Sequence, residues 1–199
     1  MNRQGTGQGS RVVAERVLWW AWSQIEGVGP ITLKRIHSHF GSLAAAWEAS
    51  ATELQGVEGI GAKLATAIAQ QRPSLDLTPP VASHLTPADG AYPPLLFEIP
   101  DPPPVLYYQG QVELLAQCQR RPAVGIVGTR SPSEYGRRWT RRITAHLSRA
   151  GITVISGLAD GIDREAHDSC LQHQGSTIAV LGTGVDVVYP RANLDLHRA

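Results

Sequence analysis

The chain has 199 residues, 18 Lys and Arg against 17 Asp and Glu, a formal net charge of +1, and 42% hydrophobic residues. That length holds one large domain or two small ones, and the near-neutral balance excludes a global cationic excess, so any polyanion footprint must be local. Cys118 and Cys170 stand far apart without a C-x-x-C pair, which excludes a disulfide framework or zinc site and fits a reducing cytoplasm.

Residues 1–10 are Gly- and Gln-rich and lack an apolar signal-like core, so they read as a disordered tail. Val17 to Ile25 is apolar but about half the ~20 residues a membrane span needs, so no membrane anchor is expected. From Arg11 to Gln24, Val13, Val17, Trp19, Trp20 and Trp22 recur with helical period and a broad aromatic face, predicting a helix buried in a small core. Exposed tryptophans would instead serve as base-stacking platforms, but only on a flat surface.

An internal repeat follows. Ile25-Glu26-Gly27-Val28-Gly29-Pro30 recurs as Val57-Glu58-Gly59-Ile60-Gly61-Ala62, an offset of 32 residues, and each copy opens a helix with apolar positions three and four apart. The glycines permit a tight turn with positive φ and uncover backbone N–H groups. Phe40-Gly41-Ser42-Leu43 ends one helix and caps the next, and Ser50 to Leu54 reads as another helix start. Residues 11–72 therefore read as helix, hairpin, helix, twice, and resemble a tandem helix-hairpin-helix (SAM-like) domain. That resemblance implies DNA phosphate contacts at Gly27, Gly29, Gly59 and Gly61. The cations nearby are few: Lys34, Arg35, His37 and His39 at the first copy and Lys63 at the second. Direct DNA contact and an accessory, protein-contacting role both remain open.

Residues 73–121 are crowded with proline, which excludes long helices and central strands. Val105 to Tyr108 reads as an edge strand, Gln109-Gly110 as a turn, and Leu114-Leu115 as part of a short helix. Tyr92, Leu95, Leu96, Phe97 and Ile99 argue against a free linker, and the segment is expected to clamp onto the domain that follows it.

Residues 122–199 alternate apolar runs with helical patterns. Ala123 to Val127 precedes a helix at about 133–150, Thr153 to Ile155 a helix ending near 173, and Thr177 to Leu181 a Gly-rich turn. This is the βαβ pattern of a parallel sheet with helices on both faces. Such sheets bind ligands beyond the carboxyl ends of their strands. Here those ends are Gly128, Thr129, Arg130 and Ser131; Ser156, Gly157 and Gly161; and Gly182, Thr183 and Gly184. Neither a G-x-G-x-x-G fingerprint nor a Walker loop is present, so no nucleotide cofactor is expected. Asp160, Asp163 and His167 could share a helix face. The preferred reading gives Asp163 a place near a helix N-terminus, favourable to its dipole, makes His167 structural, and assigns no metal.

Charge concentrates at one place. From Arg120 to Ala150 eight arginines face Glu134 alone. Arg137, Arg138, Arg141 and Arg142 form two i, i+4 pairs, a candidate basic approach surface or simply a solvated helix face. Arg130 sits in the loop itself, where its planar fork suits phosphate.

Val127 to Gly136, Ser156 to Asp163 with Ala166-His167, Ala179 to Gly184 with Tyr189-Pro190, and the connector's Tyr92-Pro93-Pro94-Leu95-Leu96 and Pro103 to Tyr107 together resemble the DNA-processing protein A (DprA/Smf) family. The resemblance implies a partial Rossmann-like domain after the all-α one, and a recombination mediator of natural transformation rather than an enzyme. It implies binding of single-stranded DNA at the carboxyl edge of the sheet, help in loading the RecA recombinase, and a homodimer at full length. It carries DNA contact to Gly128, Thr129 and Arg130, with Thr129 standing where Ser is commoner, and to Ser156, Gly157 and Gly161. Asp160 departs from a position often basic or apolar, and a carboxylate there would weaken phosphate attraction. The chain ends at Ala199 inside an expected helix after three strands, so the domain is expected to be incomplete, with an unprotected sheet edge. The alternatives are a nucleoside-phosphate-processing enzyme, which would need a Pro-Gly-Gly-type loop that this chain lacks, and a helix-hairpin-helix repair scaffold.

Overall fold

A computed structural model describes residues 6–199, with side chains from Glu15 onward. The described residues divide into two compact units, one ending at Tyr108 and one running from Gln109 to Ala199. Of the expected disordered tail, residues 1–5 lie outside the described residues, and the first helix, α1, spans Thr6–Ser23. Val13 lies outside the described side chains.

The first unit continues with α2 (Pro30–Phe40), α3 (Leu43–Glu48), α4 (Ala51–Leu54) and α5 (Ala62–Gln71). The repeat is real in backbone geometry. Gly27 and Gly59 take φ of +86° and +88°, while Gly29 and Gly61 cap α2 and α5 at φ −84° and −83°. A side chain at the first pair would be strained, which is why glycine recurs there. Ser42 caps α3, and Ser50 forms a reciprocal capping box with Glu53 that holds the short α4 in place. Trp19 and Trp22 are fully buried with Ile25, Leu33, Ile36, Leu43, Leu54 and Ile68. The tryptophan face of α1 is therefore core.

The proline-rich segment supplies β1 (His84–Leu85), α6 (Pro94–Glu98) and β2 (Leu106–Tyr107), with β1 and β2 pairing antiparallel. Contacts to the helices of the first unit hold it. Phe97 packs edge-on against Trp19 (5.9 Å), Lys34 donates to the Phe97 and Ile99 carbonyls (2.7 and 3.0 Å), and Arg16 binds the His84 carbonyl and Asp89. Proline removes backbone donors but leaves carbonyls, and cations from the helices satisfy them. Tyr92, buried, donates its hydroxyl to Pro103 O, and burial pushes its pKa up to about 12.

The second unit contains α7 (Glu113–Cys118), β3 (Ala123–Gly125), α8 (Glu134–Arg149), β4 (Thr153–Ser156), α9 (Ile162–Gln172), β5 (Thr177–Ala179) and α10 (Leu194–Arg198). The three strands are parallel in the order β3-β4-β5. Consecutive right-handed crossovers in that order put both helices on one side. Accordingly α8 and α9 lie side by side, joined by Arg137 and Arg141 to Glu165 and by Ser169 Oγ to Arg141 O. Among the described residues, α8 and α9 thus share one face of the sheet. Val154, Ala166 and Cys170 form the small buried core between helices and sheet.

Candidate nucleic-acid interface

The strand ends do converge, but they divide the work. A cleft of about 290 Å³ lies beyond them, lined by Arg130, Gly157, Ala159, Asp160, Leu181, Gly182, Thr183, Tyr189 and Pro190. Four of the ten loop residues singled out in the sequence line it: Arg130, Gly157, Gly182 and Thr183. The remaining six, Gly128, Thr129, Ser131, Ser156, Gly161 and Gly184, do not.

Several of those six act as structural joints. Gly161 is buried at φ +85°, where a Cβ would lie 2.3 Å from the Thr129 carbonyl oxygen and 2.7 Å from Arg130 Cα. Only glycine lets the start of α9 touch the loop that carries Arg130, and the contact is sealed by Ile162 N–H donating to Thr129 O (3.1 Å). Gly128 works from the other side, since a Cβ there would meet the Ile162 side chain at 2.7 Å. Ser156 is 3% exposed and donates its hydroxyl to Ile126 O at 2.6 Å, tying β4 to the chain just beyond β3. The hydroxyl proton is therefore committed within the fold. Thr129 Oγ1 accepts from Ser131 N and shapes the turn, and a Cβ on Gly184 would crowd Asp186.

The cleft itself is built from groups left open. The Arg130 guanidinium is exposed and has no ion pair or hydrogen bond among the described residues. Gly182 has open space where a Cβ would stand, so an anion can approach its backbone closely. The Gly157 N–H is occupied, donating to Asp163 Oδ2 at 3.1 Å. Asp163 thus stands in the first turn of α9, where a carboxylate suits the helix dipole, and also accepts this bond. Asp160 is exposed and faces the cleft with Arg130, opposing an incoming anion.

Asp160, Asp163 and His167 do not converge. His167 is buried with Nδ1 2.8 Å from Thr177 Oγ1, whose own proton goes to Val154 O. Nδ1 is therefore the protonated nitrogen, and burial lowers the imidazole pKa against a weaker opposing pull from Asp163. The imidazole ties α9 to β5 through this bond.

The arginines of α8 fall into two sets. Arg137 and Arg141 both bind Glu165, Arg141 through two nitrogens at 2.6 and 3.1 Å. The Glu165 side chain is 11% exposed, and its hydrogen bond from Arg141 holds its carboxyl below the usual range despite burial. Arg138 and Arg142 have no carboxylate partner among the described residues and lie over the rings of Tyr135 (5.9 Å) and Trp139 (5.3 Å). At the N-terminus of α8, Ser133 Oγ already accepts from Gly136 N, which leaves the loop cation as the main attraction for an anion.

In the helical unit the cations are largely consumed. Lys34 holds connector carbonyls, Arg35 pairs with Glu58 (3.2 Å), and His37 has its pKa lowered by burial. The hairpin backbones at Gly29 and Gly61 are open, with nothing within 4 Å of a Cβ. A Cβ on Gly27 would reach Leu64 and one on Gly59 would reach Arg35. Sequence reasoning missed Tyr189 as a site residue, although it is exposed at the cleft. An aromatic preceding proline in a Gly-rich loop, with no partner at strand or helix spacing, was the available signal.

The comparisons with known proteins agree with this architecture. The family described as DNA recombination-mediator protein A matches residues 83–199, and a SAM-like helix-hairpin-helix tandem matches residues 23–71. Protein Smf of Synechocystis sp. is 49% identical over 190 residues, 92% of this chain and 48% of its own. DNA processing protein DprA of Streptococcus pneumoniae is 44% identical over 109 residues, 55% of this chain and 37% of its own. The X-ray structure of DNA processing protein A from Streptococcus pneumoniae aligns with a TM-score of 0.71 at 26% identity, covering 98% of this chain and 64% of that one. The chain thus spans about half the length, or less, of these curated relatives. Its Arg130 loop, second Gly loop and Gly182-Thr183-Gly184 turn all fall inside the matched region, and the chain belongs to the DNA recombination-mediator protein A family.

Proposed function

We propose that this chain binds single-stranded DNA without catalysis, as part of a cytoplasmic recombination mediator that hands the strand to a RecA-type recombinase and works as a homodimer in its longer relatives. The observation that carries the DNA-binding reading is the unpaired Arg130 guanidinium at a cleft edged by open glycine backbone, while neighbouring arginines of α8 are held by Glu165. In this reading Arg130 grips a phosphate through its planar fork, and the open backbone at Gly182 and Thr183 lets the strand approach. Gly128, Gly161, Thr129 and Ser156 fix the loop that presents Arg130. The exposed ring of Tyr189 offers a base face. Membership of a recombination-mediator family and the names of its relatives support DNA as the partner. Among the described residues, no helix is long and apolar enough to cross a membrane. The helical unit serves as an accessory platform, since Lys34 and Arg35 at the first hairpin are engaged internally, which leaves Lys63 at the second as a thin supply of the free cations that non-specific DNA affinity needs.

Binding of a labelled oligothymidylate tests this. Arg130→Ala weakens it about ten-fold and Arg141→Ala by less than about two-fold, as expected when a charge-assisted bond is lost in one case only. Equal small losses in both variants would refute the cleft. Turnover of a nucleoside monophosphate by the wild-type chain would favour the enzyme instead.

A further inference from the structure

We propose that the outer face of α8 is a base-stacking ladder for single-stranded nucleic acid, formed by Tyr135 and Trp139 with Arg138 and Arg142. The inference rests on the cleft being a single-strand site, and it adds a second contact surface to it. The four residues follow the i, i+3, i+4, i+7 spacing of one helix face. The opposite face of α8 is buried through Thr140, Thr144, Ala145 and Ser148, and its flank is committed to α9 through Arg137 and Arg141. Tyr135 remains 66% exposed and Trp139 39% exposed. Large rings left in water are costly to keep and point to an absent partner.

The chemistry of the face selects that partner. Arg138 and Arg142 each lie against an aromatic ring, and among the described residues neither forms an ion pair, although Glu134 stands one turn before Arg138. Rings that alternate with unpaired guanidinium groups match bases that alternate with phosphates. Spacing then separates single strands from duplexes. The Tyr135 and Trp139 centroids lie 6.1 Å apart at an interplanar angle of 60°, nearly twice the ~3.4 Å per base of a duplex strand. A base could stack on each ring only in an extended strand whose own stacking is broken. The ladder begins in the first turn of α8, directly after the loop that carries Arg130, so a strand leaving the cleft can run onto it.

The full chain is titrated by fluorescence anisotropy with a labelled oligothymidylate and with an abasic oligodeoxynucleotide of equal length, at one salt concentration. Trp139→Ala and Tyr135→Ala each weaken oligothymidylate binding about ten-fold, Trp139→Phe keeps it within about three-fold, and the abasic strand barely distinguishes them. Both alanine sites are exposed, so two independent variants guard against one that fails to fold. Full affinity in both alanine variants, while Arg130→Ala still loses binding, overturns the ladder and leaves the cleft standing. Equal wild-type affinity for the two strands overturns it as well. If sedimentation shows that the alanine variants change only self-association, the face is a protein interface and the inference falls. A wild-type chain that binds no oligothymidylate removes the cleft reading and the ladder together.

Discussion

Substituting Gly161 by Ala should unfasten the joint on which the cleft depends. The residue holds φ +85° and ψ −122°, a conformation that costs a residue with a side chain about 1–3 kcal/mol. Its new Cβ would stand 2.3 Å from the Thr129 carbonyl oxygen. Relieving that overlap pulls Thr129 away from the Ile162 N–H and forfeits a hydrogen bond worth about 1 kcal/mol. The sum is about 3 kcal/mol, all of it within the second unit. Amide hydrogen exchange at Val154, which donates to Ser176 O in the central strand, reads that unit's free energy directly and should accelerate by about 100-fold. Oligonucleotide affinity should fall in parallel, because Arg130 is one bond from the displaced carbonyl. Gly182→Ala is the control, since nothing lies within 4 Å of its Cβ and its φ is not positive. The reasoning fails if exchange in Gly161→Ala rises less than about three-fold, or if Gly182→Ala is equally destabilised.

Glu165→Gln should cost about 2 kcal/mol of stability, measured by thermal unfolding, because it removes the acceptor of two arginines at a mostly buried site. The wild-type contribution is full above the ordinary glutamate value of 4.5, since the folded carboxyl is held lower, and is lost as pH falls through that lower folded value; a variant whose acid unfolding profile is unchanged would contradict the pairing. Asp160→Asn should tighten oligonucleotide binding about three-fold, the effect of one like charge at ~6 Å in water, and a weaker variant would mean that Asp160 helps the ligand. Arg72 donates to the Ala46, Trp47 and Ala49 carbonyls at the end of α3. Arg72→Ala should destabilise the helical unit by about 2–3 kcal/mol, read as an earlier urea transition in the fluorescence of buried Trp19 and Trp22, and an unshifted transition would refute the capping role.

Both units were legible because their signals are local. The Gly-x-Gly repeat demanded the same backbone twice, and Gly27 and Gly59 adopt it within 2° of one another. The three strands and both crossover helices followed from period and glycine placement, with strand ends shorter than the apolar runs. Side-chain pairing across the fold was not legible. Nothing local distinguishes Arg137 and Arg141, which reach Glu165 on another helix, from Arg138 and Arg142, which do not. Ser156 and Gly157 share one loop, yet Gly157 lines the cleft while the Ser156 hydroxyl is turned to Ile126 O, because small residues serve close packing and ligand approach alike and only their neighbours separate the two uses. The contacts of the proline-rich segment were illegible for a related reason. Its apolar residues require a surface, but composition does not say which one, and Phe97 found Trp19.

The most direct test of the cleft is the salt dependence of oligothymidylate affinity in wild type and in Arg130→Ala. Each phosphate neutralised contributes about −0.7 to the slope of log affinity against log salt for a single strand. Removing Arg130 should make the slope shallower by about 0.7 and weaken binding at every salt concentration. An unchanged slope in the variant would show that Arg130 touches no phosphate and would contradict the account.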